Sequence, residues 1–470
     1  MGTFVDDLLE KVLNKTNFPE IDFIDIRVFQ KHATTISVET GRISKLINSS
    51  YGGAGVRVFS SEGCWSHAST NSVSEESLLK TLNVAYKAAK SLTNKTSNGQ
   101  IKLPPIQPIK KKTVIKARVH PNDVSLEEKA KSVFEYEKIA RTVDPRIVNT
   151  HFNYQDSIAK EIVINSFGSN VSSTWVYTQL KGRVTAKEMG DLRETGFSTV
   201  GKTQGFEVIE QIDAEEFSVN AARKALSKLT AKTPTAGKFK VILDPRLTGL
   251  FAHEAFGHSA EADLVMEGAS VLEGMLGKQI ASPNVTIIDD PTIPGSFGFF
   301  QTDSEGVIAR QKELLADGIL TEYLHTLETA SKMNMSPNGS ARASSHHVTP
   351  LARMGSIYVQ PKDYSFEELI EGVTGIYMKG AEFGHVDPAT GEFLFKAEQG
   401  WNVENGELKE QLRDVALSGT TLEILKNIEA VGKDLVLIGP GQCGKRGQLV
   451  PVDDGGPHIR VKDVIVGGLQ

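Results

Sequence analysis

Residues 24–59 carry a two-residue hydrophobic rhythm that only an extended chain can use. Ile24, Ile26 and Val28 alternate with polar neighbours, and Thr35-Ile36-Ser37-Val38-Glu39 repeats the pattern. After Thr40-Gly41 and Gly52-Gly53-Ala54-Gly55 it resumes at Val56-Arg57-Val58-Phe59. Successive strand side chains point to opposite faces, so such a segment reads as antiparallel strands joined by glycine turns. Glu161-Ile162-Val163-Ile164-Asn165 and Ser172-Ser173-Thr174-Trp175-Val176-Tyr177-Thr178 make residues 147–209 mostly β as well. Helical spacing intervenes. Phe4, Leu8, Leu9 and Val12 form one stripe over 4–15. Residues 74–92 follow Ser74 as N-cap with Glu75 and Glu76 in the first turn, and residues 125–143 open on Ser125 and Glu128, a capping box. A further helix is expected over 213–229.

The strands and helices do not alternate regularly enough for a doubly wound parallel sheet, and no fixed-period repeat is present. The expected class is therefore α+β with mostly antiparallel sheets. A chain of 470 residues exceeds one hydrophobic core. Ala231-Lys232-Thr233-Pro234-Thr235-Ala236-Gly237 has the composition of a linker. It divides the chain into an N-terminal α+β domain, 1–236, with a connecting segment near 93–122, and a C-terminal β-rich domain, 237–470. The second opens on the strand Phe239-Lys240-Val241-Ile242-Leu243 and a helix through His253.

Charge and cysteine content narrow the function. A net charge of -6 argues against nucleic acid as the main partner, because phosphate binding needs a surplus of Lys and Arg on one face. The run Lys110-Lys111-Lys112 sits beside prolines and reads as a solvated linker. Only Cys64 and Cys443 are present, too few for a disulfide framework, so a reducing compartment is expected. No 18-residue apolar run predicts a membrane span and no signal peptide is visible at Met1-Gly2-Thr3-Phe4, so the expected location is cytoplasmic. Cys64, beside Trp65, reads as a buried structural residue, and Asp289-Asp290 before Pro291 as turn chemistry.

His253-Glu254-Ala255-Phe256-Gly257-His258 carries the chemistry of a metal hydrolase. Two neutral imidazoles bind zinc, and a carboxylate beside the open coordination position takes a proton from the attacking water and returns it to the leaving amine. The spacing is unusual. Histidines five apart on an ideal α-helix are separated by about 140°. Both reach one metal only if the helix is bent, locally widened or ends between them; a π-type turn would cut the offset to roughly 50°, so a strained helix is expected here, with Gly257 easing the distortion. A catalytic site needs a third protein ligand. Glu261, Asp263, the His346-His347 pair and Cys443 are the candidates. Cys443 lies in Gly439-Pro440-Gly441-Gln442-Cys443-Gly444-Lys445-Arg446-Gly447, where the adjacent cations favour a thiolate.

Several ordered motifs resemble the TldD/PmbA family of zinc metallopeptidases almost end to end. They are Val38-Glu39-Thr40-Gly41 with Gly53-Ala54-Gly55-Val56-Arg57-Val58; His253 to Glu261, similar to the signature of the TldD branch; Asp289-Asp290-Pro291; Asp303-Ser304-Glu305-Gly306-Val307; Gln442 to Gln448; and Asp453-Asp454-Gly455-Gly456-Pro457. Ala341 to His347 and Arg353-Met354-Gly355-Ser356 follow the family pattern only loosely. The resemblance implies one Zn²⁺ per chain held by His253, His258 and Cys443, with Glu254 as general base. It implies cleavage of unfolded or modified peptides, and a dimer of like chains or with a PmbA-like paralogue. A metal-containing, peptide-binding accessory subunit without hydrolysis of its own is the alternative. With one thiolate and two neutral imidazoles the zinc site keeps a net charge of about +1 and a weakened Lewis acid, so modest turnover is expected.

Overall fold

The computed structural model of the chain describes residues 2–15, 18, 20–93, 102–188 and 190–468. The fold is α+β with mostly antiparallel sheets. Two long strands, β1 (Ile21–Glu39) and β2 (Arg42–Ser60), pair antiparallel around Thr40-Gly41, where both residues take positive φ, 44° and 76°. With β3 (Trp65–Thr70), β4 (Lys110–Val114), β5 (Ile147–Asn165), β6 (Asn170–Lys187) and β7 (Arg193–Lys202) they build a seven-stranded sheet in the order β3-β2-β1-β5-β6-β4, with β7 also on β6. One face carries the helices Gly2–Asn14 and Glu75–Thr93. The expected stripe residues Leu9 and Val12 pack there with Ile24, Ile26, Val28, Leu78 and Leu82, while the Phe4 side chain lies outside the described residues. The helices Leu126–Arg141 and Ala214–Lys228 cover the other end. Ser125 caps the first as expected, accepting from Glu128 N–H at 3.1 Å.

Two turn readings are corrected. Gly52-Gly53-Ala54-Gly55 is not a turn but the middle of β2. Glycine stands there because another segment lies on the strand: a Cβ at Gly53 would strike Thr70 O and the His346 ring, and one at Gly55 would strike His346 O. Lys110-Lys111-Lys112 is exposed, yet it is a strand running parallel to β6 and not a linker. Within the expected connection, residues 94–101 lie outside the described residues.

Alternation along β1 also hides a second buried face. Asp25 and Arg27 are covered by the C-terminal half of the chain. Arg57 bonds Asp25 Oδ2 through Nε at 2.9 Å and Glu305 Oε1 through Nη1 at 2.8 Å, and Arg27 Nη2 donates to Ser345 O at 2.8 Å. Paired in this way, the charges satisfy one another and fix how the loops around 305 and 345 sit on the first sheet.

From residue 237 onward the chain forms a second seven-stranded sheet, a six-stranded sheet and a two-stranded one. The six-stranded sheet includes Ser356–Val359 and ends in the hairpin Val436–Lys445/Gln448–Gly456. Between the larger sheets lies the core holding Phe251, Phe256, Met354 and Ile357. Asp289 is wholly buried, accepting from Gly355 N–H at 2.7 Å and facing Lys312 Nζ at 3.0 Å, whereas Asp290 makes the expected turn, accepting from Thr292 N–H at 2.8 Å.

Candidate metal centre

The His-Glu segment enters the core as a short α-helix, Pro245–Leu250, capped by Asp244, whose Oδ1 accepts from Leu247 N–H at 2.9 Å. It widens at once into a π-helix, Phe251–Gly257, closed by His258 N–H on His253 O at 3.2 Å. This is the backbone that a five-residue histidine spacing demands. Side chains outside the helix support the distortion: Thr421 Oγ1 and Ser259 Oγ each donate to Ala255 O at 3.1 Å. Phe251 and Phe256 are fully buried and anchor it, each burial contributing about 1.5–3 kcal/mol. Gly257 serves differently from expectation. Its φ is not positive, and the space is what requires it: a Cβ there would run into Met354 Sδ and lie 2.9 Å from Ile357 Cδ1.

The widened turn sets the His253 and His258 rings 5.2 Å apart and nearly perpendicular, at 86°. Cys443 arrives from the hairpin, 185 positions along the chain, and its Sγ lies 3.4 Å from His258 Nε2. One ligand atom from each of His253, His258 and Cys443 lies within 4.8 Å of the others. Tetrahedral zinc with ordinary bond lengths places nitrogen and sulfur ligands about 3.4–3.6 Å apart, which the Cys443–His258 separation of 3.4 Å matches. Two further observations agree. His253 Nδ1 is buried without a hydrogen-bond partner among the described residues. Burial pushes the Cys443 thiol up, but His258 and His253 outweigh it and hold it well below its ordinary value, so the sulfur and the two imidazoles face one another as one coupled group. Lys445 and Arg446, expected to assist, point elsewhere: Lys445 to Asp263 and Glu261, Arg446 to Glu267.

Of the other candidates, none joins the cluster. Glu261 stands behind it. Its Oε2 meets His258 Nδ1 at 2.9 Å, the ring nitrogen opposite the one that faces the sulfur. Lys445 Nζ lies 3.0 Å from the same oxygen, and Arg353 Nε 3.8 Å from Oε1. Burial pushes Glu261 up, yet His258, Lys445 and Arg353 bring it down to about 2, so it is a carboxylate that orients the imidazole. Arg353, fully buried, also donates to Cys443 O and thus ties the sulfur's strand to this carboxylate. Asp263 is held by Lys445 at 2.6 Å, and His346 by Asn71 at 3.0 Å, packed on β2. Sequence reasoning missed Arg353 and the partner role of Lys445. The available signal was that a buried Glu261 beside a histidine needs a cation.

Glu254, on the solvent side of the π-helix, keeps 30% of its side chain exposed, with Oε2 3.9 Å from His258 Nε2. A carboxylate in that place can reach a water held near the three donors and has an exit for the proton.

Comparison with known proteins agrees along the whole chain. Family models described as the PmbA/TldA metallopeptidase domain 1, central domain and C-terminal domain match residues 24–89, 119–229 and 236–468. A "Metalloprotease" of Methanothermobacter thermautotrophicus is 39% identical over 451 residues, 95% of this chain and 96% of that protein. A "Zinc metalloprotease TldD homolog" of Saccharolobus solfataricus is 33% identical over 344 residues, 73% of this chain and 76% of its own length. The crystal structure of TldE from Thermococcus kodakarensis has the same fold, with a TM-score of 0.77 at 19% identity, covering 98% of this chain and 99% of its own. Sequence, fold and motif order together make this chain a member of the PmbA/TldD family of metallopeptidases.

Proposed function

We propose that this chain is a zinc-dependent peptidase in which His253, His258 and Cys443 hold one Zn²⁺ and Glu254 is the general base. The observation that supports it most is the convergence of three donors, brought from two distant parts of the chain, within 4.8 Å of one another. Zinc held by these three residues would supply a Lewis acid for a peptide carbonyl and would make water easier to deprotonate near neutral pH. Glu254 takes the proton of the attacking water and delivers it to the departing amine. Glu261 holds His258 in one tautomer, with the proton on Nδ1 and the lone pair on Nε2. The accessory-subunit reading is less well supported, because a structural zinc fills four positions with protein. Among the described residues no fourth His, Cys, Asp or Glu joins the three.

The substrates in this reading are unfolded or extended peptides. A division at residues 236 and 237 belongs to it as well: the first sheet uses only strands before that point, and the other sheets only strands after it. So does a partner of the same or of TldE type, on the likeness of fold alone. A cytoplasmic location goes with a chain that carries only two cysteines, too few for a disulfide framework. No helix among the described residues is long and apolar enough to cross a membrane.

The test is cleavage of an unstructured peptide before and after chelation. The expected result is complete loss of cleavage on removing zinc and its return on adding one equivalent, with kcat of about 10 s⁻¹ or less because the thiolate weakens the Lewis acid. Cleavage that survives verified metal removal would refute the reading.

A further inference from the structure

Helices cover one face of the first sheet, where Ile36, Tyr154 and Leu180 are buried. Alternate side chains point to the other face, and there the strand register defines a patch of one charge sign. Lys31 on β1 pairs with Tyr51 on β2. Three rows further along, Ser37 pairs with Lys45 on β2 and with Asn153 on β5, and Asn153 pairs with Lys181 on β6. Between these two rows the same face of β2, β1, β5 and β6 presents hydroxyls, amides and apolar groups, but no Asp or Glu.

The chain as a whole carries a net charge of -6, so three lysines on one face without a carboxylate are a local reversal of sign. Among the described residues none of the three makes an ion pair. Burial pushes the Lys31 ammonium below its ordinary range, and burial together with Arg246 does the same to Lys181. A cation partly removed from water without a counter-charge gains by meeting an anion. The patch is open to a ligand: Lys45, Ile47 and Ser49 are exposed, and Thr35, Asn153 and Gln155 partly so.

At its Lys31 end the patch runs into a groove of about 550 Å³, lined by Lys31, Gln155, Gln179 and His347 among others, and by no Asp or Glu. Gln179, only 6% exposed, keeps Oε1 without a hydrogen-bond partner among the described residues. That oxygen needs a donor. A peptide backbone brings N–H donors, whereas a phosphate chain brings acceptors only. No arginine between the two rows offers the fork that matches phosphate, and single lysines serve a carboxylate as point charges. Six positions of β1 separate Lys31 from Ser37, about 20 Å, so an extended peptide of similar length reaches from one lysine to the other two.

We propose that this face is an exosite for acidic segments of extended peptides, holding their carboxylates on Lys31, Lys45 and Lys181 and a backbone N–H on Gln179. The choice of a peptide rests on the peptidase reading above. The exosite itself needs no hydrolysis, and none of the metal donors lines its groove.

The test is binding to the zinc-loaded Glu254→Gln chain. The probes are otherwise identical unstructured peptides of about 12 residues with Glu, Gln or Lys at spaced positions, beside an oligo-dT of equal length. The Glu peptide should bind about tenfold more tightly than the Gln peptide in low salt, and the Lys peptide more weakly than either. The preference should vanish in about 1 M salt, where charges are screened within about 3 Å. Lys45→Glu, at an exposed position, should cut the Glu-over-Gln ratio about fivefold, and Lys31→Gln and Lys181→Gln about threefold each. Lys111→Glu, in the exposed run paired with the far end of β6, should leave the ratio unchanged. Glu-selective binding without cleavage of the same peptide by the wild type would sink the hydrolytic reading and leave the exosite standing. Equal binding of the Glu and Gln peptides, no measurable binding of any, or a ratio unchanged in all three lysine variants would overturn the exosite. So would an equal fall in Lys111→Glu, or tighter binding of oligo-dT than of the Glu peptide.

Discussion

Glu254→Gln is expected to lower kcat for peptide cleavage by about 10²–10⁴-fold while zinc content stays at one per chain. Glutamine keeps the size and one acceptor oxygen but cannot take a proton. The carboxylate lies 3.9 Å from His258 Nε2, outside the three-donor cluster, so its loss should leave the metal in place. The side chain is partly exposed and helps to close no core, so stability should change by under about 0.5 kcal/mol. Parallel metal analysis, denaturation and single-turnover cleavage check all three. Loss of zinc together with activity would make Glu254 a ligand and not a base.

Glu261→Ala should be damaging in a different way. It removes the acceptor from His258 Nδ1, leaves Arg353 without a carboxylate in a buried site, and leaves Lys445 with Asp263 as its remaining carboxylate. Breaking a buried pair by deleting one partner costs about 3–5 kcal/mol, and losing the group that orients a histidine ligand weakens metal binding about 10–100-fold. Both effects are expected together, read by chemical denaturation and by competition with a zinc chelator. Glu261→Gln, which can still accept from Nδ1–H, should recover part of the metal affinity but little of the stability, because Arg353 then lacks its carboxylate and Lys445 keeps only that of Asp263. Unchanged zinc affinity in both variants would remove Glu261 from the site's support.

The fold was legible where local rules and burial agree. The Thr40-Gly41 turn, the Ser125 cap and the α+β class follow from alternation and capping chemistry alone. A distorted helix was readable as well, because two imidazoles five positions apart cannot share an ion on a regular one; that the distortion is a π-helix came from the structure. What local rules could not supply came from the second half of the chain lying on the first. Asp25 and Arg27 look like a solvent-facing row, yet they are buried because the loops around 305 and 345 bring their own partners. Gly53 and Gly55 look like a turn, yet they mark where His346 lies on β2. The third donor had the weakest local signal of all. No spacing rule connects His258 to a cysteine 185 positions away, and it was family resemblance that singled out Cys443 over Glu261.

The measurement that tests the central claim most directly is zinc stoichiometry of the purified wild type beside Cys443→Ala, with circular dichroism to show that both are folded. Wild type should hold one zinc per chain. Cys443→Ala, having lost the thiolate that lies 3.4 Å from His258, should hold far less than one after dialysis against a mild chelator. Equal zinc in the two proteins would show that the ion is held without the sulfur and would contradict the three-donor site.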